Sequence, residues 1–276
     1  MAALFTFLAM LAFAGNSLLC RMALKATAID PASFTTIRIV SGALTLWLIV
    51  RVRDHSAPGE GNWVSAFALF AYAAAFSFAY LSLTAATGAL ILFASVQVTM
   101  IGWGIRSGQR LGAWQVAGFV GAFAGLVGLL LPGLSAPPLA GALLMLAAGI
   151  AWGVYSLRGK GGGDPTRVTA GNFLRAVPFS VALTLAMLPD MSIDTAGAMY
   201  AIASGALASG VGYALWYSAL KHIRTTTAAT IQLSVPVIAA AGGIAFLGEA
   251  LTMRLVIASA VILGGIAVAI LGAPRR

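Results

Sequence analysis

An all-α polytopic membrane protein, with ten transmembrane helices arranged as two inverted five-helix repeats, is the class this sequence predicts. Three observations carry the prediction. The 276 residues are 61% apolar and only 8% charged, with mean hydropathy +0.98, too few charges to cover a water-soluble surface of that size. Apolar runs near the ~20 residues needed to cross hydrocarbon recur along the whole chain. The second half also repeats the first at a nearly constant offset, the signature of a duplicated unit.

The elements follow in order from the Pro, Gly and charge clusters that separate them. The first run, 2 to 24, has no basic n-region before it and no small-residue cleavage site after it, so it is expected to be a retained helix. "AIDP" leads into 31 to 50, and "RVRDHSAPGEGN" separates that run from 63 to 84. "TAATG" precedes 87 to 105, and "RSGQRLG" precedes 112 to 131. "PGLSAPP" opens the second half, whose runs are 137 to 157, 168 to 188, 196 to 219, 226 to 247 and 251 to 272. Their separators are "RGKGGGDPTR", "PDMSID", "KHIR" and "LGEAL". No connection is long enough for a soluble domain, so function is expected inside the bundle or at its mouths. The repeat units are 1–134 and 135–276.

Orientation comes from Lys and Arg. With both termini cytoplasmic, the inner segments hold Arg51, Arg53, Arg106, Arg110, Arg158, Lys160, Arg167, Lys221, Arg224, Arg275 and Arg276, eleven cations against three (Arg21, Lys25, Arg254) outside. That bias sets the expected topology, and it accounts for the net charge of +9 without nucleic acid, because the cations are dispersed among apolar spans. The repeat pairs Gly108 with Gly248, Leu111 with Leu251 and Gly125 with Gly265 at an offset of 140. Upstream, at 137, it pairs Arg38 with Arg175, Tyr80 with Tyr217 and Leu83 with Leu220. Five helices is an odd number, so equivalent halves must be inserted upside down. The loop charges agree: neutral "LTAATGA" matches basic "LKHIRTT".

Certain residues then carry a family resemblance. "AGN" in the first helix, the early Arg of "FTTIRIVSGALTL" and "PVIAAAGGIAFLGEALT" make the chain resemble the EamA-like branch of the drug/metabolite transporter superfamily. Within that branch it looks closest to the aromatic amino acid exporters. The first half departs from the pattern, with Gln109 where the family often has Glu and no Pro matching Pro236. The resemblance implies a multi-pass inner-membrane permease for small metabolites, often directed outward and functional as a monomer, working by alternating access. The ends of helices three, four, eight and nine would act as its gates.

Polar groups placed in hydrocarbon need a reason. Gln232 lies about eight residues beyond Arg224, hence ~12 Å deep, and Gln97 reaches a similar depth from Gly88. The repeat sets Ser95 opposite Gln232 and Gln97 opposite Ser234. Two readings stand: a midplane site whose amides bind a zwitterion, or hydrogen bonds that hold helices together. Pro236 withdraws a backbone donor and frees the Gln232 carbonyl, marking a kink or a gate. Asn16 and the aromatic pair Trp152 and Tyr155, in pseudo-equivalent helices, suit an amino acid with a large side chain; Trp152 also fits a lipid-facing belt. Tyr80 joins these candidates, although its place near a helix end equally fits anchoring. Arg38 and Arg175 sit at matching depths, where an Arg either pairs a substrate carboxylate or snorkels to the interface.

Other chemistry is disfavoured. Cys20 is the single cysteine and the only histidines are His55 and His222, so no metal site, cofactor or intramembrane enzyme is expected. "GKGGGDP" lacks Walker spacing. The seven acids all fall in loops or at helix ends, which argues against coupling to protons. A channel, or a broad drug or metabolite permease, remains the alternative to an amino acid exporter.

Overall fold

The computed structural model of the chain describes residues 2–54, 60–108, 111–133, 136–159, 164–220, 222–223, 228 and 231–272. Gln109, Arg110, Lys160, Lys221, Arg224, His55 and the C-terminal arginines, on which part of the expected topology rests, lie outside the described residues, as does the start of the run placed at 226.

Among the described residues the secondary structure is helical throughout. In chain order the helices are α1 (Ala2–Ala26), α2 (Pro31–Asp54), α3 (Trp63–Ala79), α4 (Ala85–Arg106), α5 (Ala113–Leu130), α6 (Leu139–Arg158), α7 (Pro165–Ala186), α8 (Thr195–Leu220), α9 (Ser234–Leu247) and α10 (Met253–Leu271). Eight of them are long and apolar enough to cross a membrane, whereas α3 and α9 are shorter.

Local chemistry sets the helix ends. Asp30 Oδ1 accepts from the Ala32 and Ser33 amides ahead of α2. Asn62, Thr84, Asp164 and Thr252 do the same for α3, α4, α7 and α10, satisfying donors that have no partner inside a helix. These caps explain where the observed ends differ from the expected ones. The run placed at 63 to 84 stops at Ala79, because Tyr80–Leu83 turn so that Thr84 can cap α4. The run placed at 168 begins three residues earlier, since Asp164 followed by Pro165 is a start signal. Ahead of α9 the chain is helical at Ala228, Ile231 and Gln232, turns at Leu233 and resumes as α9 at Ser234, so that Pro236 sits in the first turn after the break, where its missing amide costs no bond within α9. Gly248, with φ 61°, adopts the left-handed conformation that closes α9.

Small residues let the helices touch backbone to backbone. A Cβ on Gly118 would collide with the Gly265 carbonyl, and one on Gly265 with the Ala122 amide, so α5 and α10 cross closely along glycine stripes. The principal packing pairs are α5 with α10, α2 with α7, α4 with α9, α3 and α4 with α6, α1 with α8 and α9, α2 with α8, and α3 with α7. Exchanging each helix with the one five places away maps this set onto itself.

Two ends of the bundle differ in their polar chemistry. At one, Glu249 is buried: Oε1 meets Arg21 Nε at 3.1 Å and Oε2 accepts from the Ala85 amide at 2.8 Å. Arg21 also donates to the Tyr80 and Leu81 carbonyls, so one node ties α1, the α3–α4 turn, α4 and the end of α9. At the other, Arg53 meets Asp164 at 2.8 Å and Arg167 meets Glu60 at 3.5 Å, on more exposed side chains.

Candidate functional site

A narrow cavity lies within the bundle, with ≈ 440 Å³ of empty space counting open solvent and ≈ 30 Å³ open to the centre of a water-sized sphere. Its wall comes from both halves of the chain. Phe13, Asn16 and Ser17 of α1, Tyr72 and Phe76 of α3, and Leu92 and Phe93 of α4 face Trp152 of α6, Ala208, Ser209 and Tyr213 of α8, and Gln232 just before α9. Among the described residues no Asp or Glu contributes to it.

Aromatic rings make one side. Trp152 is at their centre: its ring lies 4.9 Å from Tyr72, and it stacks at 5.3 Å and 29° on both Tyr155 and Tyr213. Phe13 leans on Tyr213 at 5.8 Å, and Phe76 on Tyr72 at 5.4 Å. Offset and tilted contacts of this kind fix ring orientation, so the wall presents fixed π faces.

A hydrogen-bonded chain makes the other. Ser204 Oγ donates to Asn16 Oδ1 at 2.6 Å, Asn16 Nδ2 to the Tyr72 hydroxyl at 3.2 Å, and Arg38 Nη2 to the same hydroxyl at 3.0 Å. Arg38 is only 2% exposed. Its guanidinium lies 5.1 Å from the Tyr72 ring centre and 5.0 Å from that of Phe76. Nη1 is buried without a hydrogen-bond partner. An unneutralised charge in low dielectric is costly, and cation–π contact offsets part of that cost.

The backbone beside this chain is unusual. α8 is π-helical over Ser204–Val211, a form often found at functional positions. The extra residue per turn is tolerated because the segment is small: a Cβ on Gly205 would collide with the Arg38 carbonyl and the Ser41 hydroxyl. The wider turn brings Ser204 to Asn16 and sets Ala208 and Ser209 in the wall.

The sequence candidates separate into three groups. Asn16, Trp152 and Gln232 line the cavity. Arg38 and Tyr155 stand directly behind it, against Tyr72 and Trp152; Arg38 does not snorkel, because its side chain turns into the bundle. The remainder are elsewhere. Tyr80 is buried at the Glu249 end, with its hydroxyl donating to the Ala85 carbonyl. Ser95 bonds back to Ile91 of its own helix and faces Gly149; Gln97 is buried in α4 outside the wall. Arg175 donates to the Glu60 and Gly171 carbonyls. Sequence reasoning passed over Tyr72, Phe13, Phe76 and Ser204. The missed signal is depth: Tyr72 sits mid-helix in "FAYAAAF", where a phenol needs a partner.

Fold and site together define a multi-pass helical membrane protein with an internal aromatic and polar cavity. Residues 139–271, just under half of the chain, match the model of the EamA-like transporter family. It is 57% identical over 273 residues to the uncharacterized protein PA1977 of Pseudomonas aeruginosa, covering 99% of this chain and 94% of that one. An uncharacterized transporter of Archaeoglobus fulgidus is 28% identical over 84% of each chain. The threonine/homoserine exporter RhtA of Salmonella typhimurium is 32% identical over 124 residues, 41% of this chain and 39% of that one. A crystal structure 22% identical in sequence superposes with TM-score 0.69 over 97% of this chain and 96% of its own, which speaks for the fold alone.

Proposed function

We propose that the protein exports amino acids, aromatic ones included, from the cytoplasm across an inner membrane. Ten helices cross the membrane as two inverted repeats, 1–134 and 135–276, with both termini cytoplasmic, and the monomer is the working unit. The cavity is the substrate site. Asn16, Trp152 and Gln232 contact the cargo, with Arg38 and Tyr155 behind them; Ser95, Gln97, Tyr80 and Arg175 hold helices together. The observation that carries this reading is the cavity itself, lined by residues drawn from 13–17, 72–93, 152, 208–213 and 232, with ring faces in its wall and a hydrogen-bonded cation behind Tyr72. The packing pairs support the repeat, since they survive exchange of helix n with helix n+5.

Alternating access then needs one end closed at a time. The buried Arg21–Glu249–Ala85 node closes the end that the charge bias turns outward, and Pro236 beside the Leu233 break is the flexible point of α9. With no carboxylate in the wall, flux follows the substrate gradient without proton coupling.

The partial similarity to a threonine/homoserine exporter favours a second reading, in which the cargo is a small polar amino acid. One experiment addresses both. In proteoliposomes, a panel of unlabelled amino acids and unrelated metabolites competes with labelled phenylalanine for flux. Aromatic amino acids are expected to compete best, with Trp152→Ala weakening them about tenfold while threonine is little changed. Competition by threonine and homoserine alone would favour the second reading, and competition by no amino acid would overturn both. Saturable flux separates a carrier from a channel.

A further inference from the structure

Tyr72 is the point where the buried charge meets the cavity. Its hydroxyl oxygen accepts from Arg38 Nη2 and from Asn16 Nδ2, and two acceptor sites are all a phenol has. The O–H must therefore donate, yet no described residue accepts from it, and Tyr72 forms part of the cavity wall. A bond received from a cation polarises the hydroxyl and strengthens it as a donor. The site thus offers an activated donor whose natural acceptor is an anion.

The charge balance narrows the ligand further. Arg38 is buried with Nη1 unpartnered, and no acid in the wall neutralises it. Asn16 Oδ1 accepts from Ser204 Oγ, and its Nδ2 donates to the Tyr72 hydroxyl, so Asn16 brings no charge to the site. An ammonium group entering here meets π faces and the Gln232 amide but no countercharge, whereas a carboxylate neutralises the site in a low-dielectric surrounding.

We propose that the Tyr72 hydroxyl, with Arg38 positioned behind it, is the carboxylate-recognising group of the cavity, and that the cavity takes small monocarboxylates with an aromatic or apolar body whether or not they bear an amino group. The carboxylate is required and the amine is dispensable. This rests on the cavity being the transport site proposed above, and it extends the cargo from amino acids to hydroxy acids of the same shape.

The test is competition against labelled phenylalanine flux in proteoliposomes by four molecules of one shape: phenylalanine, 3-phenyllactate, phenylalanine methyl ester and phenethylamine. Phenyllactate is expected to compete at least as well as phenylalanine, while the ester and the amine compete at least tenfold less well. Tyr72→Phe keeps the ring and its packing; it should lose the acid-over-ester preference by about tenfold, the usual worth of a hydrogen bond to a charged group. Tyr200→Phe, away from the wall, should keep it. Arg38 acts through Tyr72, so Arg38→Met should lower the same ratio, Arg38→Lys should recover part of it, and the double variant with Tyr72→Phe should lose no more than the larger single effect. Unchanged melting temperature identifies variants that fold. Phenylalanine competing while phenyllactate does not would overturn the inference and leave amino acid export standing. Equal competition by ester and acid, or a full preference retained in Tyr72→Phe, would also overturn it. No carboxylate competing, with some other metabolite active, would overturn both.

Discussion

Arg38 and Arg175 lie 137 residues apart, at positions that the sequence pairs, and have opposite fates. Arg38 turns inward, is 2% exposed, and meets two aromatic rings and a phenol. Arg175 is half-buried and donates to the backbone carbonyls of Glu60 and Gly171. A second pair, Arg21 and Arg158, shares the same offset of 137 and diverges in the same sense. Arg21 closes on buried Glu249, whereas Arg158 is exposed and reaches Ser65 and Asn62. In each pair the first-half cation enters a node joining several helices, and its second-half mate holds the near end of α3. Repeat equivalence in sequence therefore does not carry equivalence of environment. Positions paired in sequence face different neighbours in the bundle, and those neighbours set each cation's environment.

The largest expected effect breaks this contrast at its centre. Arg38→Met should reduce amino acid flux in proteoliposomes by more than tenfold, while Arg175→Met should change it by less than about threefold, in line with the small worth of partly exposed pairs. Equal losses would mean that both cations serve folding alone.

Next in size is the closed end. Cys20 is fully buried beside Arg21, so its reaction with a membrane-impermeant maleimide reports opening there. Glu249→Gln weakens the bonds to Arg21 and the Ala85 amide and should raise the labelling rate several-fold, because breaking one partner of a buried pair leaves the other uncompensated. Arg21→Gln should act likewise, and Arg158→Gln should leave the rate unchanged. Identical labelling in all three would show that the node is not a closure.

The smallest effect concerns the exposed end. Burial pushes the Asp164 carboxyl up, but its bond from Arg53 and the Thr166 and Arg167 amides outweigh burial and hold it below the ordinary carboxylate value. A carboxyl depressed in the folded state adds stability above its unfolded pKa of ~3.9 and loses it as pH falls through the folded value. Melting in detergent should therefore fall between about pH 5 and 2. Asp164→Asn keeps a capping oxygen and should flatten that dependence at a cost of about 2 °C near neutrality. An unaltered pH profile would remove Asp164 from the account.

The all-helical character and the order of the runs were legible because hydrocarbon permits few solutions: runs of apolar residues become helices, and Pro, Gly and charge clusters separate them. Ends were less legible where a capping residue lay inside an apolar stretch, as Thr84 does after α3. The site was legible in part. Asn16, Trp152 and Gln232 stood out as polar or aromatic groups at depth, and they line the cavity. Tyr72 did not, because one tyrosine among alanines looks like core until α1 and α2 bring Asn16 and Arg38 to its hydroxyl from 56 and 34 residues away. Ser95 and Tyr80 carried the same sequence signal and went elsewhere, since helix rotation is set by packing.

The sequence by itself determined the solvent, the helices and their order, and the resemblance to a transporter family, since each depends on composition and local pattern. Only the tertiary structure decided which cation is buried, which phenol it meets and which end is tied. Those are pairings across 34 to 228 residues, and side-chain direction around a helix axis becomes definite only once neighbouring helices have packed.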